Sequence, residues 1–185
     1  MHWKKLNVLS IARRKGKKLA EDRSGVTAVE FALVAIPFFA ICFSIIEVGF
    51  AHFANRMLDN AVINASRLVR TGQAKDGSIS KAQFKQRICD FMPAFMCDLD
   101  RITMEVKPYP SFAAAKDIDT LYDDKGNLKN EDETVFDPGD SNNIVVVNVI
   151  YKWPLMTSFW GFDAADDGTD RHLSSTMVFR NEPWG

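Results

Sequence analysis

The sequence has few of the side chains that carry out chemistry. Among 185 residues there are only three histidines, at positions 2, 52 and 172, too scattered to suggest a catalytic triad or a metal site. No glycine-rich phosphate loop is present. Two acidic runs, 123–126 and 163–170, lack the alternating ligands and final Glu of an EF-hand loop, so solvated turns explain them better than calcium sites. We therefore predict no enzyme, no catalytic residue, no metal, no cofactor and no small-molecule substrate.

Charge is missing from one long stretch of the chain. Between Phe31 and Ile46 no residue is charged and only Ser44 is polar. Counted from Val26, more than about 20 mostly apolar residues follow one another, enough for a helix to cross a hydrocarbon core of about 30 Å. The sequence predicts a single transmembrane helix over residues 26–53.

The near-neutral total charge hides an asymmetry. Residues 1–25 carry eight Lys or Arg and two acidic residues, a net charge of +6, which leaves −7 for the remainder. An acidic body argues against binding nucleic acid. The basic segment directly precedes the apolar stretch, so the positive-inside rule predicts a cytoplasmic leader over residues 1–25 and an external head. A cleaved secretory signal peptide is the alternative, but its apolar core is only about 7–15 residues long and ends in a small-residue cleavage site.

A lone carboxylate lies inside the apolar helix. Glu30 follows Gly25 by five residues, and Phe31 comes next. An ionisable side chain within a membrane helix costs about 2.5–3.5 kcal/mol at the centre and usually has a partner. The partner we expect is the α-amine that cleavage after Gly25 would create on Val26, within one chain or between neighbouring subunits, where the pair would help to set register. The plainer alternative is a flexible Gly25 and a Glu30 that reaches towards the interface.

The residues around this carboxylate resemble a known family. The Gly25-x-x-x-x-Glu30-Phe31 pattern resembles the class III signal of type IV pilins and pseudopilins, and the segment 22–34, DRSGVTAVEFALV, is similar to the TadE-like family of the Tad/Flp tight-adherence pilus system. Segments 145–155 and 177–183 and the paired-cysteine region also look TadE-like.

The resemblance implies a function, a location and partners. It implies a minor pilin or pseudopilin in the bacterial inner membrane, cut by an aspartic prepilin peptidase between Gly25 and Val26, with Glu30 as the fifth mature residue. The implied partners are that peptidase, other pilin-like subunits, the pilus assembly platform and inner-membrane lipid. The resemblance also suggests a link to adhesion, and it leaves open whether the subunit enters the extracellular pilus or only primes or caps its assembly.

A second apolar pattern continues beyond the membrane. From Phe50 to Val69, apolar residues recur every three or four positions, which predicts an amphipathic helix over 54–71 that ends at Gly72. A continuous helix from Thr27 to Arg70 would be about 66 Å long, and Pro37 is expected to kink it. The stripe could serve the core of the head, contacts with other subunits, or both. Glu47 could be an interface-level residue or an inter-subunit contact.

The remaining residues, 72–185, predict an α+β head in the periplasm. Ser80-Lys81-Ala82-Gln83 has the form of a capping box and opens a short helix through about Phe91, with Phe84, Ile88 and Phe91 on one face. Strands are predicted over 101–107, ended by two prolines, over 144–153 and over 173–179. Residues 111–141 predict a long loop with little structure of its own. The fold class is therefore a long transmembrane-plus-amphipathic helix packed on a small antiparallel sheet head with a short helix.

The three cysteines fit an exported head. Cys42 lies in the span and is interpreted as a small buried apolar residue. Cys89 and Cys97 lie outside the membrane, where thiols oxidise, and a bridge between them would close a loop of nine residues. A metal pair is the alternative, although no histidine is near and the spacing is unusual for ligands.

Two other functions remain open at this stage. One is an uncleaved bitopic scaffold protein of the envelope assembly machinery, which predicts full-length protein in membranes. The other is a soluble binding domain released by signal peptidase, which predicts a product that begins beyond the apolar run.

Overall fold

A computed structural model describes residues 25–75, 79–116, 118, 120–156 and 165–184. The predicted leader, residues 1–25, therefore lies outside the described residues except for Gly25. The chain divides into two compact units, Met1–Phe43 and Ser44–Gly185. We call Ser44–Gly185 the C-terminal unit. The α+β fold class predicted from the sequence is confirmed: in the described ranges the chain forms a long helix, a short helix and a three-stranded sheet.

The long helix, α1, spans Val26–Arg70 without interruption and contains Pro37. Its later half buries small and branched residues every three or four positions; these are Ala51, Ala54, Leu58, Ala61, Val62, Ala65 and Val69. Phe50 and Phe53, which the periodic pattern assigned to the same stripe, are instead about half exposed. Gly72 follows α1 with a φ of 79°, the left-handed conformation that ends helices, as predicted.

The short helix, α2, spans Lys81–Asp90. The predicted capping box is present, because the Ser80 side chain accepts from the Gln83 backbone and the Gln83 side chain accepts from the Ser80 backbone. Phe84 and Ile88 are fully buried, as expected. Phe91 is exposed, so its prediction on the buried face was wrong. It caps the helix after the last regular turn, where the periodicity no longer determines its direction.

The three strands form one antiparallel sheet in the order β1-β2-β3, with β1 at Ile102–Tyr109, β2 at Ile144–Pro154 and β3 at Asp170–Arg180. The prediction that Pro108 ends the first strand was wrong. Val106 uses its backbone N–H and C=O to bind residues 135 and 137 on the outer edge of the sheet. Two residues later the proline nitrogen lies on the same edge, where β2 needs no donor from it.

The core lies between α1, α2 and one face of the sheet. Val145, Val147 and Val149 of β2 are fully buried against Met104 and Val106 of β1 and against the α1 stripe. Alternation along β2 turns the other side chains to the second face, where Val146 packs with Ala115. One face of the sheet therefore attaches the head to α1.

The segment between β1 and β2 is more ordered than predicted. It contains short 3-10 helices at Ala114–Lys116 and Glu131–Glu133. Leu121 is buried, and the Tyr122 hydroxyl lies 2.9 Å from Nδ1 of His172. Burial, with a smaller effect of Asp166, raises the pKa of Tyr122 above its usual value. This segment thus covers part of the second face of the sheet.

The C-terminal unit has two ends, which we name by the course of α1. At the basal end, β3 begins beside Ala51 and His52. At the distal end, β3 finishes beside Ser66 and Arg70. α1 and β3 therefore run in the same direction, and β2 runs against both.

Candidate processing and assembly site

The predicted cleavage residues lie at the first turn of α1. The helix begins at Val26, so the bond between Gly25 and Val26 is at its N-terminal boundary. A Cβ built on Gly25 would meet no atom within 4 Å. The bond is therefore at an open helix end, with no packing of described residues against it.

Glu30 lies one turn along the same helix. Residues four apart project from the same helix face, about 6 Å apart along the axis, so Val26 and Glu30 are neighbours. Glu30 and Phe31 are both exposed. Among the described residues, the Glu30 carboxylate has no hydrogen-bonding or ionic partner. The helix therefore brings the predicted cleavage bond and the predicted assembly charge into one turn.

The N-terminal half of α1 presents large apolar side chains on all sides. Val29, Leu33, Val34, Ile36, Phe38, Ile41 and Ile45 are among the exposed ones. This is the one helix among the described residues that is long and apolar enough to cross a membrane. A helix that is apolar all round fits a lipid surrounding better than an aqueous one.

Glu47 makes a contact that sequence reasoning missed. Its side chain is buried and accepts a hydrogen bond from the backbone N–H of Met156. The contact joins α1 to the residues after β2 within one chain, which neither of the two interpretations of Glu47 anticipated. No local pattern could reveal it, because 109 residues separate the partners.

The paired cysteines form the predicted disulfide. Cys89 and Cys97 are bonded, with Cα atoms 5.0 Å apart. The bond fastens the end of α2 to the segment before β1. Cys42 is a free thiol in the other unit.

The C-terminal tail binds the end of α1. Glu182 donates its backbone N–H to the Arg70 carbonyl oxygen, and its carboxylate lies 3.1 Å from the Arg70 guanidinium. Trp184 donates its indole N–H to the same carbonyl and covers Gly72, where an added Cβ would lie 2.6 Å from the ring. The sequence identified this tail only through its TadE-like appearance.

The carboxylate of Asp123, in one of the two acidic runs, has partners within its own turn. Asp123 accepts from the backbone of residues 125 and 127, which lowers the pKa of its carboxyl, chiefly through Asn127. This carboxylate serves its own turn, as the solvated-turn interpretation predicts. Within the described ranges, no three His, Cys, Asp or Glu side chains lie close enough together to hold a metal ion.

Comparison with known proteins agrees with the N-terminal motif. No curated protein and no solved structure matches the chain. The family model described as TadE-like protein matches residues 25–67, which begin at Gly25 and include most of α1. This match covers less than a quarter of the chain, and it confirms that this segment resembles the TadE-like family.

Proposed function

We propose that this chain is a minor pilin or pseudopilin-like subunit for assembly of a Tad-type pilus. It is inserted in the inner membrane with residues 1–25 in the cytoplasm, cut after Gly25 by a prepilin peptidase, and packed through α1 against other pilin-like helices. The observation that carries the proposal is the exposed Glu30, one helical turn from the Gly25–Val26 bond, in a segment that the TadE-like family model matches.

A carboxylate such as that of Glu30 is costly in lipid. An isolated ionised Glu near the membrane centre costs about 2.5–3.5 kcal/mol, and less near the edge. Cleavage would place an ammonium group on Val26, one turn away on the same helix face. In an assembly, the amine of one subunit can bind Glu30 of the next, and displacement by a turn would leave both charges unpaired. The pair therefore favours one register.

The surface of α1 supports a role in helix packing. Its N-terminal half exposes large apolar side chains on every side, and the helix is long and apolar enough to cross a membrane. Lipid can cover this surface before assembly, and neighbouring helices can cover it afterwards. The exchange needs no chemistry in the subunit itself beyond removal of the leader.

The head is consistent with an oxidising compartment. Structural disulfides persist in the periplasm and are rare in the bacterial cytoplasm. The Cys89–Cys97 bond agrees with the orientation that the positive-inside rule predicts for the basic leader.

Intact mass of the protein purified from membranes tests the cleavage. We expect a mature chain that starts at Val26, and Gly25→Leu should keep the leader. Gly49→Leu is the matched control, because Gly49 is also an exposed glycine of α1 with open space around it, and it should be cut normally. If cells that build pili contain only full-length chain, the protein is instead an uncleaved bitopic scaffold.

Substitution of Glu30 tests the charge separately from the cleavage. Glu30→Gln should be processed normally, yet reduce the yield of assembled pili about tenfold or more, since the amide keeps the shape and removes the charge. Glu30→Asp, which keeps the charge, should retain more assembly. Equal pilus yields from wild type and Glu30→Gln would remove the register argument while leaving the cleavage intact.

A further inference from the structure

The loop closed by the disulfide exposes large apolar side chains at the surface of the head. Phe91 is 50% exposed and Phe95 70% exposed, whereas Met92 and Met96 from the same loop are packed in the core. The bond between Cys89 and Cys97 closes this loop. The two phenylalanines therefore belong to a loop that is anchored by the disulfide and by two buried methionines.

Further contacts place this loop at the basal end. Arg101, which follows it, donates to the Lys152 carbonyl oxygen and pairs with Asp170 at the start of β3. Leu99, 37% exposed, belongs to the same turn, and Met156, 69% exposed, is the residue bound by Glu47 of α1. We call Phe91, Phe95, Leu99 and Met156 the basal patch.

Three acidic residues around the basal patch have basic partners. Asp98 lies 3.3 Å from the Arg101 guanidinium, and Asp90 lies 3.6 Å from that of Arg87. Asp167 lies 3.5 Å from the Lys152 ammonium. The head has a net negative charge, but at this end basic side chains partly neutralise the carboxylates. This lowers the repulsion between the head and anionic lipid headgroups.

α1 carries exposed aromatic residues at the same level. Ala51 and Ala54 are buried in the core, while Phe50 and Phe53, on the other side of the same turn, are about half exposed. These two phenylalanines continue the apolar surface of the predicted span. A boundary between lipid and water at this turn would therefore also reach the basal end of the head.

We propose that the basal patch rests in the headgroup region of the membrane that α1 crosses, so that the disulfide-closed loop docks the head on the lipid surface. This inference rests on the membrane insertion in the proposed function. The occupant is lipid because the patch is apolar, lies beside the end of the apolar helix surface and is flanked by paired charges. Contact at a second point limits the tilt of the head before assembly.

Fluorophore quenching by lipid tests the contact. Full-length chain carrying Cys42→Ala is inserted, one chain per nanodisc, in phosphatidylethanolamine and phosphatidylglycerol with a fraction of headgroup-level spin-labelled lipid. Single cysteines at Phe95, Phe112 and Phe39 carry bimane. Phe112 is the matched control, because it is an exposed phenylalanine, 59% accessible, just beyond β1 at the distal end. Phe39 reports on the span.

We expect quenching at Phe95→Cys at least about threefold above that at Phe112→Cys. Equal quenching at these two positions, with Phe39→Cys quenched by lipid labelled deep in its chains, would overturn the docking and leave insertion standing. A Phe39→Cys that the deeply labelled lipid leaves unquenched would overturn both. A single chain per disc excludes a protein neighbour, so an unquenched Phe95→Cys cannot be assigned to subunit contacts.

Hydrogen exchange on the chain without added cysteines avoids any effect of the labels. Amides of residues 91–101 should exchange at least about threefold more slowly in the nanodisc than in detergent, where no flat headgroup surface is present. Amides of residues 111–116 should exchange equally in both. Unchanged exchange over 91–101 would contradict the proposal.

Discussion

The two ends of the C-terminal unit are stabilised in different ways. At the distal end, the tail binds Arg70 and covers Gly72, and the buried Asn181 donates to the carbonyl oxygens of Pro138 and Asp140. At the basal end, a disulfide and solvent-accessible ion pairs hold a loop whose apolar side chains stay exposed. The distal end is thus closed by its own chain, whereas the basal end leaves apolar surface for another contact.

Of the substitutions considered, loss of the Asn181 side chain at the distal end should reduce stability the most. Asn181→Ala leaves two carbonyl groups without their donor, and we expect the free energy of unfolding to fall by about 3 kcal/mol in denaturant titrations of the full chain in detergent. Asn148→Ala is the matched control, because its bond to Thr176 is exposed, and it should cost less than about 1 kcal/mol. Equal losses of stability in the two variants would show that the buried bonds of Asn181 contribute no more than the exposed bond of Asn148.

Removal of the disulfide should affect the basal end. With a loop of nine residues, the chain-entropy model gives a loss of about 2.5 kcal/mol for the Cys89→Ser/Cys97→Ser double variant. Hydrogen exchange under native conditions should speed up over residues 91–99 and stay unchanged over 181–184. Cys42→Ser, in the other unit, should leave the stability of the C-terminal unit unchanged. Faster exchange at both ends would mean that the ends are coupled.

Substitutions of two glycines with positive φ can distinguish the cost of backbone strain from the cost of a packing clash. Gly72→Ala should cost about 2 kcal/mol, because Gly72 has a positive φ and the new methyl group meets the Trp184 ring. Gly126→Ala has a similar φ of 83° but open space around it, so it should cost only about 1 kcal/mol. In a Trp184→Ala background the difference between the two glycines should disappear. A persistent difference would assign it to the backbone alone.

The smallest expected effect is a loss of stability at alkaline pH that comes from Tyr151 at the basal end. Burial raises the pKa of Tyr151, which pairs with Ile102 and Leu173, above its usual 10.0. The unfolded chain then loses this proton first, so the tyrosine's contribution to stability is complete below pH 10 and declines above it. In a Cys42→Ala background, Tyr151→Phe should reduce the loss of stability between pH 9 and pH 11. An identical loss in both proteins would contradict this assignment.

Local signals in the sequence were enough to predict most elements. The capping box fixed the start of α2, the β-branched run predicted β2, and Gly72 marked the end of α1. The processing motif was readable because Gly25 and Glu30 are only five residues apart in the sequence. Their roles in cleavage and register stay predictions.

Long-range contacts could not be read in the same way. The bond from Glu47 to Met156 and the bonds from the tail to Arg70 join residues more than a hundred positions apart. The strand through Pro108 became understandable only when its outer edge was known, since a proline is tolerated where no neighbouring strand needs its N–H. Sequence patterns specify faces of elements, whereas these contacts depend on which faces meet.

The attachment of the tail to Arg70 has a mechanical consequence. α1 and β3 run in the same direction, so a pull on the basal end of α1 would load their side-chain contacts in shear, all at once, instead of peeling them apart one by one. The bonds from Glu182 and Trp184 to Arg70 sit at the trailing end of the pulled helix. These bonds must break before the helix can move along the sheet. Glu182 and Trp184 therefore increase the resistance of the C-terminal unit to a pulling force.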